Sequence, residues 1–400
     1  MTSTFRHLIA SLGGFQLGYS LAIIASMLVF LSAEFSLSPS QEGLLSGALL
    51  IGALPGSILA GKSCNSLGRK KVQQLTAFIF FLGSLTLVYA HSLSTLFIGR
   101  IIQGIAGGAA AVVGPLYLAE IAPKEKRGTY VSFYQIALAF GILMAYGTGW
   151  LFSESQNWRA MCAMGIIPSL LHGFGFHYLL DSTPRETLTT LIQRPPSLFQ
   201  ELKNSKIRFF FFITIFLNAF QQITGIGAIL AFTPIIFQNY GFDSPQTALL
   251  FTLLGGVVFF LATIKSLTLV DKMGRRPLLL KGIIGMIFFL SCATLSAFFP
   301  YKNWFISFAL FGYITAFSLT FGPLPQLIIS ELFPRKLRSQ ALGVAITTSF
   351  LFNFITVSTF LNLSFSFSFS TTFAIYALLG TTAFYFTWKY LPETAESLLD

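Results

Sequence analysis

Residues 120–127 read Glu120-Ile-Ala-Pro123-Lys-Glu-Lys-Arg127, and residues 331–338 read Glu331-Leu-Phe-Pro334-Arg-Lys-Leu-Arg338. The second copy stands 211 residues after the first (331 against 120). A second pair agrees. Asn65-x-x-Gly68-Arg69-Lys70 returns as Asp271-x-x-Gly274-Arg275-Arg276, an offset of 206 (271 against 65). Two motifs repeated in the same order at nearly one spacing imply that the second half of the chain is a copy of the first. Each motif joins a long apolar stretch to a basic turn, so the repeated unit is a set of hydrophobic helices with basic connections.

The composition says where those helices lie. Of the 400 residues 54% are hydrophobic and only 10% charged, against about 25% charged in a soluble domain. Such a chain cannot cover itself with polar surface in water. Apolar stretches fall near 8–32, 41–61, 72–90, 95–119, 128–151, 159–180, 209–238, 246–270, 277–299, 303–330, 339–361 and 368–391. Each reaches the roughly 20 residues that span a bilayer as a helix. The expected fold class is an all-α membrane protein of twelve transmembrane helices in two six-helix bundles. Residues 1–180 form the N-terminal bundle, 181–207 a linker with short surface helices around Pro195-Pro196, and 208–400 the C-terminal bundle. Cys64, Cys162 and Cys292 make no disulfide framework.

Charge placement gives the orientation. All of the 25 lysines and arginines except Arg100, Arg159, Lys265 and Lys302 fall on the side that holds the termini. By the positive-inside rule that side is cytoplasmic. The expected location is therefore the plasma membrane (the inner membrane in a bacterium), multi-pass, with both termini cytoplasmic. The net charge of +11 is explained without nucleic acid. The expected partners are the lipid bilayer and a small-molecule substrate, with the chain a monomer.

Parallel half-repeats of this kind belong to carriers in which a central site opens alternately to the two sides. Polar side chains at membrane depth are costly, and they mark sites by default. Here they are Arg100, Gln103, Gln135, Gln221, Gln222, Thr224, Lys265, Gln326 and Asn353. A single amide is explained as readily by an interhelical hydrogen bond. Adjacent Gln221-Gln222 are different, because Thr224-Gly225-Ile-Gly227 and Pro234 follow and weaken the helix. A discontinuous segment lining a cavity is expected there. Gly322, Pro323 and Pro325 imply a bent tenth helix.

Arg100, a few residues inside the fourth helix, has two readings: snorkelling to the outer surface, or a role in gating. Glu120 and Glu331, each just before a Pro and an arginine cluster, are placed to pair with Arg69 or Arg275 and with Arg127 or Arg338. They are expected to form a cytoplasmic ion-pair latch that holds when the carrier faces outward and separates when it opens inward. The four histidines show no metal spacing, and no nucleophile, phosphate-loop or zinc motif is present. No catalytic residue, cofactor or metal is expected, and the chain does not read as an enzyme.

At this point the residues resemble the sugar porter family of the major facilitator superfamily. The matching stretches are Gly13-Gly14 with Gly18-Tyr19, Gly68-Arg69-Lys70, Gly99-Arg100 with Gln103-Gly104 and Gly107-Gly108, Pro115-Leu-Tyr117-Leu-Ala-Glu120-Ile-Ala-Pro123 with Arg127-Gly128, Trp158-Arg159, Pro184-Arg185, Gln221-Gln222-Ile-Thr-Gly225-Ile, Asp271 with Gly274-Arg275-Arg276, Gly322-Pro323, Glu331-Leu-Phe-Pro334 with Arg338, and Pro392-Glu393-Thr394. The resemblance implies a central pocket in which Gln135, Gln221 and Gln222 bind substrate hydroxyls, with Phe317 a lining aromatic. Gln326 stands where the family has Trp, and with Asn353 completes the expected set.

Departures from the family matter too. Proton-coupled members carry an acid after the Gly-Tyr of the first helix; here it is Ser20, so the partner of Arg100 and the titrating group are both missing. Uniport is expected on that ground. The family Asn is Gly227, the aromatic pair is Ala231-Phe232, and a helix-eight Asn is Phe259. Each hydrogen bond lost from a buried polar ligand costs about 1–2 kcal/mol, roughly tenfold in affinity. The expected function is transport of a small neutral polyhydroxy solute, sugar or polyol, by alternating access. The rivals are a carrier of another organic solute, a proton-coupled sugar symporter, and a non-transporting sensor.

Overall fold

The computed structural model describes residues 3–123, 127–179 and 198–393. Among them twelve helical spans are long and apolar enough to cross a membrane. These are α1 (Ser3–Glu34), α2 (Pro39–Leu67), α3 (Arg69–Val88), α4 (Leu93–Ile121), α5 (Arg127–Leu151), α6 (Trp158–Tyr178), α7 (Ser205–Asn239), α8 (Pro245–Met273), α9 (Arg275–Leu295), α10 (Lys302–Leu332), α11 (Arg335–Ser366) and α12 (Phe369–Tyr390). Most of the expected linker 181–207 lies outside the described residues. At its end a short helix, Leu198–Glu201, docks on α11, where the Leu198 amide donates to Gln340 Oε1 at 2.7 Å. Helix α7 then begins at Ser205, earlier than its apolar run suggests, because Asn204 caps it by accepting from the Lys206 amide.

The two ends of the bundle are built differently. Helices α2, α4, α8 and α12 all start at the end remote from the basic turns, and each is capped by a serine: Ser38, Ser92, Ser244 and Ser368. The hydroxyl takes up one of the amides that a helix start leaves unpaired. At the basic end α2 turns into α3 at Gly68 and α8 into α9 at Gly274, with φ of 81° and 77°. A residue with a side chain is strained there, which is why the repeated motif carries glycine at this place.

Helices α1–α6 pack on one another, as do α7–α12. Association of helices in lipid depends on close packing of small residues. On α2 and α4 these are Gly52 and Gly56 against Gly104 and Gly108. A side-chain carbon at Gly104 would overlap the carbonyl of Leu49, and one at Gly56 the carbonyl of Ile105. The halves meet through α2 with α11, α5 with α8, and α1 with α7. Most of this contact lies away from the basic end. Gly43 and Gly47 seat Ser358, Ser40 Oγ donates to Asn362 Oδ1 at 2.9 Å, and Gly256 lies against the ring of Tyr146.

Gly104→Val should lower the melting temperature in detergent by the equivalent of about 1–3 kcal/mol, the usual cost of overpacking. Gly343, with nothing within 4 Å of an added carbon, should accept Ala with no loss. Equal melting curves for the two variants would contradict this packing.

Candidate functional site

The site is made where two spans lose their regular hydrogen bonding. Helix α7 runs Ser205–Ile223, breaks at Thr224-Gly225, and resumes as Ile226–Asn239. The break is the expected one. In α10 the regular helix Lys302–Ala316 gives way to a π-helical turn, Phe317–Phe321, before Leu324–Leu332. Pro323 and Pro325 cause it, since neither has an amide hydrogen to continue the ladder.

Each break exposes carbonyls that lipid cannot satisfy, and side chains from other segments take them up. Gln221 is only 5% exposed. Its Nε2 donates to the carbonyls of Phe321 at 2.7 Å and Gly322 at 3.0 Å. The Phe321 oxygen is the one that Pro325 leaves without a donor. Tyr313 Oη donates to the carbonyl of Thr224 at 3.0 Å. Tyr146 Oη, from α5 in the other half, donates at 2.7 Å to the carbonyl of Leu230, which Pro234 has deprived of its partner.

The expected pocket residues therefore divide. Gln221 has both amide hydrogens engaged by α10, so in this conformation it braces the bent helix. Gln222 is half-buried and donates to Gln221 Oε1 at 3.3 Å. Gln135 and Gln326 come from opposite halves. Gln135 Nε2 donates to Gln326 Oε1 at 3.4 Å, and both side chains remain partly exposed. Asn353 lies against Gly227, where a side chain would overlap its amide, and its Oδ1 is buried without a hydrogen-bond partner. The smaller residue at 227 makes room for it. Phe317 is buried in the π-turn, ring to ring with Phe321.

Two polar residues were missed from the sequence. Ser349 Oγ donates to Asn218 Oδ1 at 3.0 Å, linking α11 to α7 beside Gln221. Asn218 stands one helical turn before Gln221-Gln222, and that spacing was a readable signal.

At the basic end the two repeats give equal geometry. Arg69 donates to Glu120 Oε1 from Nε at 3.1 Å and contacts it from Nη2 at 3.0 Å. Arg275 and Glu331 show the same two distances. Each pair ties a turn to a helix end within one half; neither bridges the halves. Both expected pairs, Arg69 with Glu120 and Arg275 with Glu331, are formed in this conformation. The side chain of Arg127 lies outside the described residues, and Arg338 is half-buried on α11. Glu393, beyond α12, accepts from the amides of Arg275 and Arg276 at 3.1 and 3.2 Å, placing a carboxylate at the start of α9.

Arg100 does not snorkel. It is 1% exposed, and its Nη1 donates to the carbonyl of Ser20 at 2.6 Å and to Gln103 Oε1 at 3.3 Å. Among the described residues no group of three or more His, Cys, Asp or Glu is placed to hold a metal ion.

A family model described as "Sugar (and other) transporter" matches residues 7–189 and 193–400. The chain belongs to this sugar porter family. Its fold is the twelve-helix major facilitator fold, and it is a multi-pass membrane protein and not an enzyme. Among similar sugar porters is the galactose-proton symporter of Escherichia coli (strain K12), 30% identical, with 98% of this chain and 92% of that protein covered. Another is the glucose transporter GlcP of Staphylococcus epidermidis, 29% identical, covering 97% and 93%. Of solved structures, the partially occluded inward-open conformation of the xylose transporter XylE from E. coli superposes with a TM-score of 0.84. The two chains are 27% identical, with 98% of each covered.

Because the Arg69–Glu120 and Arg275–Glu331 pairs share one geometry, Glu120→Gln and Glu331→Gln should each lower stability by about 1–3 kcal/mol. Thermal melts that show one harmless and the other severe would refute their equivalence.

Proposed function

We propose that this sugar porter moves a small neutral polyhydroxy solute, a sugar or polyol, by alternating access and without proton coupling. The observation that carries the reading is the meeting of neutral amides from opposite halves, Gln135 with Gln326, partway through the membrane. An amide offers donor and acceptor together, which suits a hydroxyl-rich ligand that must be released again. Gln222, on the broken helix, and Asn353, with its buried and unpartnered Oδ1, are the further contacts we assign to the solute. A solute hydroxyl would donate to that oxygen. Phe317 supplies an apolar wall, and Gln221 acts through α10.

Orientation follows the basic residues: the basic end and both termini face the cytoplasm of a plasma membrane or bacterial inner membrane. The halves are then joined at the outer side, so the conformation faces inward. The chain acts as a monomer on this reading, because each carrier holds both halves of its own site.

The uniport part rests on Ser20, which has no charge to gain or lose. Symport is favoured by a different observation, the names of relatives such as the galactose-proton symporter.

In proteoliposomes loaded and tested with a panel of hexoses, pentoses and polyols, uptake should stop at equal inner and outer concentrations with or without a pH gradient. Accumulation driven by the gradient would overturn uniport. Gln135→Ala and Gln326→Ala should each cut uptake about tenfold, one buried hydrogen bond's worth, with folded yield unchanged. Undiminished flux in both would remove the site.

A further inference from the structure

We infer that Arg100 holds a small monovalent anion inside the N-terminal half. The guanidinium is 1% exposed and lies on α4, seven residues from the helix start at Leu93. It has five N–H donors. Nη1 is engaged by two neutral acceptors, the Ser20 carbonyl and Gln103 Oε1. Nε and Nη2 are buried with no hydrogen-bond partner. Gln103 is itself tied back, with its Nε2 donating to Ser84 Oγ at 3.1 Å.

A buried cation left without a counter-charge is among the costliest features a fold can keep. No carboxylate of this half reaches it among the described residues. Glu34 accepts from Trp158 Nε1 and pairs with Arg159. Glu120 pairs with Arg69. Glu42 lies in the first turn of α2, and Glu154 is exposed in the turn after α5. The nearby Cys162 is a thiol that donates to Met27 Sδ at 3.5 Å. Ser20, whose backbone already touches the guanidinium, brings no charge. An arginine that shows three free N–H donors, on Nε and Nη2, to neutral surroundings selects a small anion, which neutralises the charge and accepts from both nitrogens. A halide fits this chemistry; a divalent or bulky anion does not, since it overcompensates one charge or cannot enter a buried site. The role is structural and conformational: the anion would bind whenever α1 and α4 hold this spacing. The inference is independent of which solute the carrier moves.

The test is a chloride titration of the purified full-length protein in detergent, against sodium gluconate at constant ionic strength. Chloride and bromide should raise the melting temperature saturably, by roughly 3–6 °C at concentrations far above Kd. Ser20→Asp places a carboxylate beside Arg100 and should abolish the halide shift while leaving a folded protein. Arg100→Gln should abolish it as well. Equal melting in chloride and gluconate would overturn the inference, as would a full chloride shift retained in Ser20→Asp. If Arg100→Gln fails to fold, the Ser20→Asp comparison decides alone.

Discussion

No water reaches the hydrocarbon core to satisfy a bare carbonyl, and that constraint organises this molecule. A carrier needs broken helices to form a site and to bend, yet each break strands backbone oxygens. Here the stranded groups are recovered one by one: Phe321 by Gln221, Thr224 by Tyr313, Leu230 by Tyr146. The prolines that make the breaks and the side chains that mend them lie far apart in the chain. They come together only when the bundle is assembled, so the site is a product of the whole fold and of no single segment.

The same constraint explains which parts were legible in the sequence. Span number, repeat and basic turns depend on local composition, and they could be read without knowing what packs on what. The break in α7 and the bend in α10 could be read as well, because glycine and proline act on their own backbone. The destinations of polar side chains could not. Gln221 and Gln222 are neighbours of one residue type, yet one mends α10 and the other stays half-exposed. Their difference depends on which face of α7 meets Phe321. Arg100 was open to snorkelling by its position near a helix end, and only the depth of α1 at Ser20 shows that it stays inside. Gly227 read as a lost contact; in three dimensions it is the space that Asn353 occupies.

The duplication is exact in some places and abandoned in others. The Arg–Glu pairs have the same two distances, 3.0 and 3.1 Å, in both halves. The polar residues at membrane depth do not repeat. Arg100 and Ser20 have no counterpart in the second half, and the broken α7 has none in the first, where α1 is continuous. Symmetry is kept where the two bundles must be rigid, and lost where they must do different things.

The hydrogen bond from Tyr146 to Leu230 crosses between the halves, so it holds only while they are closed at that end. Separating them exchanges this bond for one to entering water, a net cost of about 1 kcal/mol, or about a fivefold bias in resting populations. On the alternating-access reading proposed above, this one tyrosine weights the state closed at the end remote from the basic turns by that factor.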